Sequence, residues 1–319
     1  MSGLASIACA AGFVVWALHQ ELPHLSAEPG AIAAILLTLG AYTLATLWMC
    51  ERWTTLLWRV DRGLPRIEAY RSAALGLIGN ACLPVRAGDA MRVGLVSTAS
   101  EKLNARSTVG TLLAERALDI GFHLSLLATV GLARFGPSSG GPLGRLPAAA
   151  AGLALLAAAF AAALRLGGFA LSRRRPAAGP SSFFGPILAP LAGLRRGSAG
   201  VIALTAGIWL AEILAWWGAA QAVGLSLSLP QAAYVFAIAT LALIAPIGFG
   251  AIGTLDAAIV LSVESIGVGA TEILGFVLLL RIAFVLPSVL IAAGIGLALA
   301  LGSRAGRVAA GGAREAVNP

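Results

Sequence analysis

Apolar runs close to twenty residues long recur along this chain, divided by short polar or Gly/Pro-rich stretches. A run of that length is what an α-helix needs to cross about 30 Å of hydrocarbon, and its repetition specifies an all-α integral membrane protein, a polytopic bundle. A transmembrane β-barrel would alternate polar and apolar residues, which this chain does not. With 59% hydrophobic and 11% charged residues and a mean hydropathy of +0.90, a soluble domain is excluded. The net charge of +8 is carried almost wholly by arginine, Lys102 being the only lysine, and it reads as membrane topology rather than nucleic-acid binding.

The runs place six full spans at roughly 3 to 18, 31 to 50, 110 to 132, 147 to 166, 201 to 223 and 273 to 301. The first is read as a retained helix, since it lacks a basic leader and a small-residue cleavage site. Two further apolar stretches, 72 to 83 and 232 to 245, are about a dozen residues long and stop at Pro84 and Pro246. Neither can cross alone, so both are expected to be broken or re-entrant helical hairpins, with Pro84, Gly88, Pro246, Gly248, Gly250 and Gly253 as hinges. Residues 1 to 302 form one transmembrane domain, and 303 to 319 are expected to be a disordered cytoplasmic tail.

Arginine counts set the orientation. The loop 51 to 71 (Arg52, Arg59, Arg62, Arg66, Arg71), the stretch 165 to 200 and the tail are basic, whereas loops 19 to 30, 133 to 146 and 224 to 231 are nearly free of charge of that sign. Both termini are therefore expected in the cytoplasm. Trp48-x-x-Glu51 corresponds to Trp209-x-x-Glu212, Pro84 to Pro246 and Arg116 to Arg281, in order and at offsets of 161 to 165. With the orientation above, halves of about 1 to 135 and 147 to 302 form an inverted-topology repeat, an arrangement that transporters use to place a site at the repeat interface.

Three clusters carry chemistry. Asn80-Ala-Cys-Leu-Pro84-Val-Arg86-Ala-Gly88-Asp89-Ala-Met-Arg92 has cations around one anion. Arg86 and Asp89 can pair locally and leave Arg92 for an anionic group; the competing reading is a structural ion-pair knot. Glu115-Arg116-x-x-Asp119, with His123 beyond, crowds one helical face and carries a negative excess that Arg86 or Arg92 can neutralise. Here substrate coordination and interhelical pairing weigh equally. The third, Pro246-x-Gly248-x-Gly250-x-x-Gly253-x-x-Asp256, has Arg281 as the expected partner of Asp256. It contains a literal GxGxxG, but without a βαβ unit that match carries no nucleotide site. Glu51 and Glu212 are read as interfacial. Cys9, Cys50 and Cys82 have no paired spacing and the three histidines form no metal set, so no disulfide, metal or cofactor is expected, nor any catalytic apparatus.

Together, Asn80-x-x-x-Pro84-x-Arg86-x-Gly88-Asp89-x-x-Arg92, Glu115-Arg116-x-x-Asp119, Pro246-x-x-x-Gly250-x-x-Gly253-x-x-Asp256 and Arg281 resemble the flippase-like transmembrane domain of lysylphosphatidylglycerol synthases and their stand-alone relatives. The resemblance spans about residues 30 to 300. It implies movement of a lipid between leaflets and a functional role for Arg86, Asp89, Arg92, Glu115, Arg116, Asp119, Asp256 and Arg281. The family commonly has Glu where this chain has Asp256. No synthase domain follows within the 319 residues, so lipid aminoacylation is not expected. The expectation is a non-enzymatic lipid translocator of the cytoplasmic membrane. The alternatives are a membrane-embedded partner of a lipid-modifying enzyme, or a proton-coupled small-solute transporter.

Overall fold

In the computed structural model, residues 15, 18–19, 28–83, 86–135, 187, 190, 198–241, 254–264 and 270–317 are described. The expected spans at 3 to 18 (but for Val15 and Leu18) and 147 to 166 lie outside them, as do Pro84, Pro246, Gly248, Gly250 and Gly253. The described residues are helical throughout, in eight long elements: α1 (Pro29–Leu57), α2 (Arg66–Cys82), α3 (Ala87–Ala99), α4 (Ala105–Phe135), α5 (Ser198–Ala222), α6 (Leu229–Leu241), α7 (Thr254–Glu264) and α8 (Ala270–Val317).

Three of them are long and apolar enough to cross a membrane: Pro29–Leu57, Ala199–Ala222 and Glu272–Leu301. Their outer faces carry Leu36, Leu210, Leu290 and Leu297, each more than half exposed, as helices bathed in lipid require. Hydroxyls within α1 satisfy themselves: Thr38, Thr43, Thr46 and Thr54 each donate to the carbonyl four residues back at 2.7 to 2.8 Å. The chain is thus a helical membrane protein. α4 has the length to cross but carries Glu115, Arg116 and Asp119 in its midsection.

Local chemistry sets several starts. Pro29 opens α1 where an amide would be unsatisfied anyway. Asn104 caps α4 through its side-chain oxygen, which accepts from the Ser107 amide at 3.0 Å. At α6, Gln231 reaches back to the amide and hydroxyl of Ser228, a capping box. Helix limits also depart from the hydropathy. α1 continues seven residues past 50, because Trp53, Leu56 and Leu57 are fully buried by neighbours that no hydropathy window sees. α8 runs unbroken to Val317, through the tail expected to be disordered; its Ala/Arg-rich composition favours helix.

α1 and α5 pack along most of their length, antiparallel: Gly218 lies against Ala34 and Thr38, Trp216 donates to the Tyr42 hydroxyl at 3.0 Å, and Gly207 lies against Trp48. Between lipid-bathed helices no hydrophobic gain drives association, so small residues that let backbones approach supply the contact. An aromatic core follows, with Trp216 edge-on to Phe236 at 5.3 Å and to Phe276 at 5.8 Å, joining α5, α6 and α8. A second core of Trp53, Leu57, Ala69, Ala73, Val96 and Leu103 joins α1, α2 and α3. α2 and α3 pack side by side, as do α6 and α7. The open end of the first pair meets the α1–α2 loop, where Ser100 donates to Asp61 at 2.6 Å.

Candidate functional site

The α2–α3 hairpin is closed by glycine. A methyl on Gly88 would overlap the Gly76 carbonyl oxygen and the Asn80 amide, and one on Gly79 would sit 2.8 Å from the Gly88 Cα. Gly88, expected as a hinge, lies instead in the first turn of α3 in helical backbone, where it permits close packing. The closure delivers Asn80 to Asp89: its Nδ2 donates to Oδ1 at 2.9 Å, and the Asp89 amide donates to Asn80 Oδ1 at 3.1 Å. Arg86, just before α3, holds φ 55° and ψ 39° and is the only non-glycine with positive φ among the described residues. That left-handed backbone costs on the order of 1 to 2 kcal/mol.

From Asp89 the charges alternate around a closed ring. Arg92 Nη2 donates to Asp89 at 3.1 Å and its Nη1 to Glu115 at 3.3 Å; Arg52 bridges Glu115 at 3.1 Å and Asp119 at 2.7 Å; Arg116 links Asp119 at 3.4 Å back to Asp89 at 3.3 Å. Three cations balance three carboxylates. Every acid has two cationic partners, the arrangement that makes burial of charge tolerable. Trp53 caps the ring through its face, 4.5 Å from the Arg92 guanidinium carbon, and Thr205 of α5 accepts from Arg52 Nη1 at 3.1 Å. Arg86 stands outside the ring as a fourth cation, 3.8 Å from Asp89, with its side chain 35% exposed; Arg116 is 29% exposed. The ring's carboxylates are committed to guanidiniums, and among the described residues no His/Cys/Asp/Glu group could hold a metal ion.

Beyond the ring, His123 ties three helices together. Its ring nitrogens face the Asp119 carbonyl at 2.8 Å and the Thr240 hydroxyl at 2.9 Å, and it stands edge-on to Trp209 at 4.2 Å. In the second half Arg281 donates through Nε (3.1 Å) and Nη2 (2.5 Å) to Asp256, which is 1% exposed; one methylene fewer than Glu does not prevent the contact.

The structure therefore brings Asn80, Arg86, Asp89, Arg92, Glu115, Arg116 and Asp119 together, and pairs Asp256 with Arg281 in a second group. It corrects three expectations. Arg92 is not left over by an Arg86–Asp89 pair but is buried in the ring. Arg52, counted with the cytoplasmic loop, is 2% exposed and bridges two carboxylates. Glu212, read as interfacial, is buried within α5. The excess of carboxylate over arginine in Glu115-Arg116-x-x-Asp119 was a signal that a further cation was needed, and Arg52 next to Trp53 and Thr54 was within reach of that argument.

The family described as Lysylphosphatidylglycerol synthase TM region matches residues 3–292, a range that takes in the whole ring and the Asp256–Arg281 pair. The resemblance read from the motifs is thereby borne out. No curated protein and no solved structure matches the chain.

Proposed function

Because the chain belongs to the lysylphosphatidylglycerol synthase TM-region family, we propose that it is a non-enzymatic translocator which moves an anionic lipid headgroup between leaflets of the cytoplasmic membrane while the acyl tails stay in the bilayer. The observation that carries this reading is the ring: it is balanced in itself, and Arg86 adds one cation at its partly exposed edge. A guanidinium there, beside the start of α3, matches a phosphate oxygen fork. The left-handed backbone that holds Arg86 is strain of the kind that accumulates at working sites.

The same reading includes two inverted halves with both termini cytoplasmic and hairpins that dip into the membrane from opposite sides. Support comes from the pairing pattern. Arg116 takes a carboxylate from the hairpin before it, Asp89, and Arg281 does the same with Asp256. The equivalent helices α1 and α5 lie antiparallel, as an inverted repeat demands. Labelling of a cysteine at position 62 from outside intact cells would overturn this orientation.

The functional test uses proteoliposomes holding fluorescent phosphatidylglycerol, with the outer leaflet bleached by dithionite. Wild-type protein should expose inner-leaflet label, and Arg86→Gln should slow it with an unchanged melting curve. A wild-type protein that leaves the inner leaflet protected sinks the proposal.

A further inference from the structure

Glu212 stands apart from every other acid among the described residues. It lies ten residues from the end of α5, about 15 Å along the helix from the nearer terminus and so deep within a membrane-crossing helix. It is 5% exposed, and among the described residues it has no hydrogen-bond or ion-pair partner. One turn earlier on the same face, Trp209 buries an indole N–H that also has no acceptor. A buried indole N–H without a partner is rare, and beside a nearly buried carboxyl on the same face it marks a position built for something other than packing.

The surroundings narrow what that is. On the same helix, Trp209 stands against His123 of α4 at 4.2 Å and Trp216 donates to the Tyr42 hydroxyl of α1, so Glu212 lies between the ring's neighbour and the α1–α5 contact. Both terminal nitrogens of Arg52 are committed to Glu115, Asp119 and Thr205, but its buried Nε has no acceptor. An ionised carboxylate without a partner at such depth costs several kcal/mol, whereas the neutral acid does not. We infer that Glu212 is a proton-binding site at the centre of the bundle, and that its loading and release couple lipid movement to the transmembrane proton gradient. In the packed state the carboxyl keeps its O–H. When the bundle opens to water on one side, the O–H bond breaks, the proton leaves to water on that side and water solvates the carboxylate; a proton from the opposite side restores the acid. One proton crosses per cycle. The coupling rests on the lipid-translocation reading; the proton site does not.

Infrared difference spectra of the full chain in bilayers, recorded across a pH titration, read the site directly. A protonated-carboxyl C=O band should bleach on alkalinisation, be absent in Glu212→Gln and return in Glu212→Asp. A band unchanged by Glu212→Gln overturns the proton site. Coupling is read in proteoliposomes with fluorescent phosphatidylglycerol outside the pH dye pyranine. An imposed proton gradient should accelerate label movement in wild type with concurrent proton entry, and Glu212→Gln, with a melting curve like that of wild type, should lose both the acceleration and the proton entry. Gradient-driven movement that persists in Glu212→Gln overturns the coupling. A wild type that moves no label while its infrared band titrates refutes the lipid reading and supports the proton site.

Discussion

Glu51 and Glu212 each lie three residues beyond a tryptophan, Trp48 and Trp209, and meet opposite fates. Glu51 sits near the end of its helix, bonded to Arg66 and to the Tyr70 hydroxyl at 2.8 Å; Glu212 is buried alone. The contrast extends to the halves. Among the described residues the ring draws three arginines and three carboxylates from α1, α3 and α4, with Arg86 beside it, whereas Arg281 donates twice to one oxygen of Asp256. The retained element is an arginine on the long helix answering an acid from the preceding hairpin.

The largest effect should come from opening the ring. Arg52→Gln leaves Glu115 and Asp119 each short of a cation while still buried, a loss of about 3 to 5 kcal/mol, so thermal melting in detergent should collapse toward an unfolded baseline. A melt close to wild type would mean that the ring is not the cooperative unit described. The Asp256–Arg281 pair should be gentler, because Arg281 is 25% exposed and the pair lies outside the ring. Asp256→Asn should destabilise more than Asp256→Asn with Arg281→Gln, with a coupling energy of about 0.5 to 3 kcal/mol from the cycle of melts. Strict additivity would show that the pair is incidental. Smaller still, Arg86→Gly releases the left-handed strain and should raise stability by about 1 kcal/mol while slowing label movement in proteoliposomes. Stability and transport moving in the same direction would separate the strain from the function.

The least effect belongs outside the membrane, at Asp61. The Ser100 hydroxyl, then the Gly63 amide and Lys102, hold its carboxyl below the usual range. A carboxylate lowered on folding stabilises above its unfolded value, and that contribution fades as pH falls through the lowered folded value. Hydrogen exchange at residues 58 to 65, corrected for intrinsic rates, should therefore accelerate in acid. Ser100→Ala should flatten that acid dependence, and an equal dependence in both proteins would remove the latch.

Hydropathy made the membrane class legible and placed α1, α4, α5 and α8 to within a few residues at most ends. Spacing within α3 and α4 marked most of the ring, and the repeat led from Arg116 to Arg281. What stayed hidden has one cause. A helix end is fixed by packing as much as by polarity, so the run that falters at residue 50 suggested a loop where Trp53 and Leu57 continue a buried helix and carry Arg52 inward. Glu212 lay inside the expected span 201 to 223, and only its burial shows that it does not mark a helix end.

His123 leaves one consequence in hydrogen atoms. A backbone carbonyl only accepts, so Nδ1 must carry the hydrogen that faces Asp119. The Thr240 hydroxyl lies 2.9 Å from Nε2 and 2.6 Å from the Phe236 carbonyl oxygen, yet owns a single hydrogen. If the imidazole is singly protonated, that hydrogen must turn to Nε2 and the Phe236 carbonyl loses its extra donor; if doubly protonated, Nε2 donates and the hydroxyl can serve its own helix. The protonation state of one ring is thus written into the rotation of one hydroxyl on another helix, so α4 and α6 cannot change their hydrogen bonding independently.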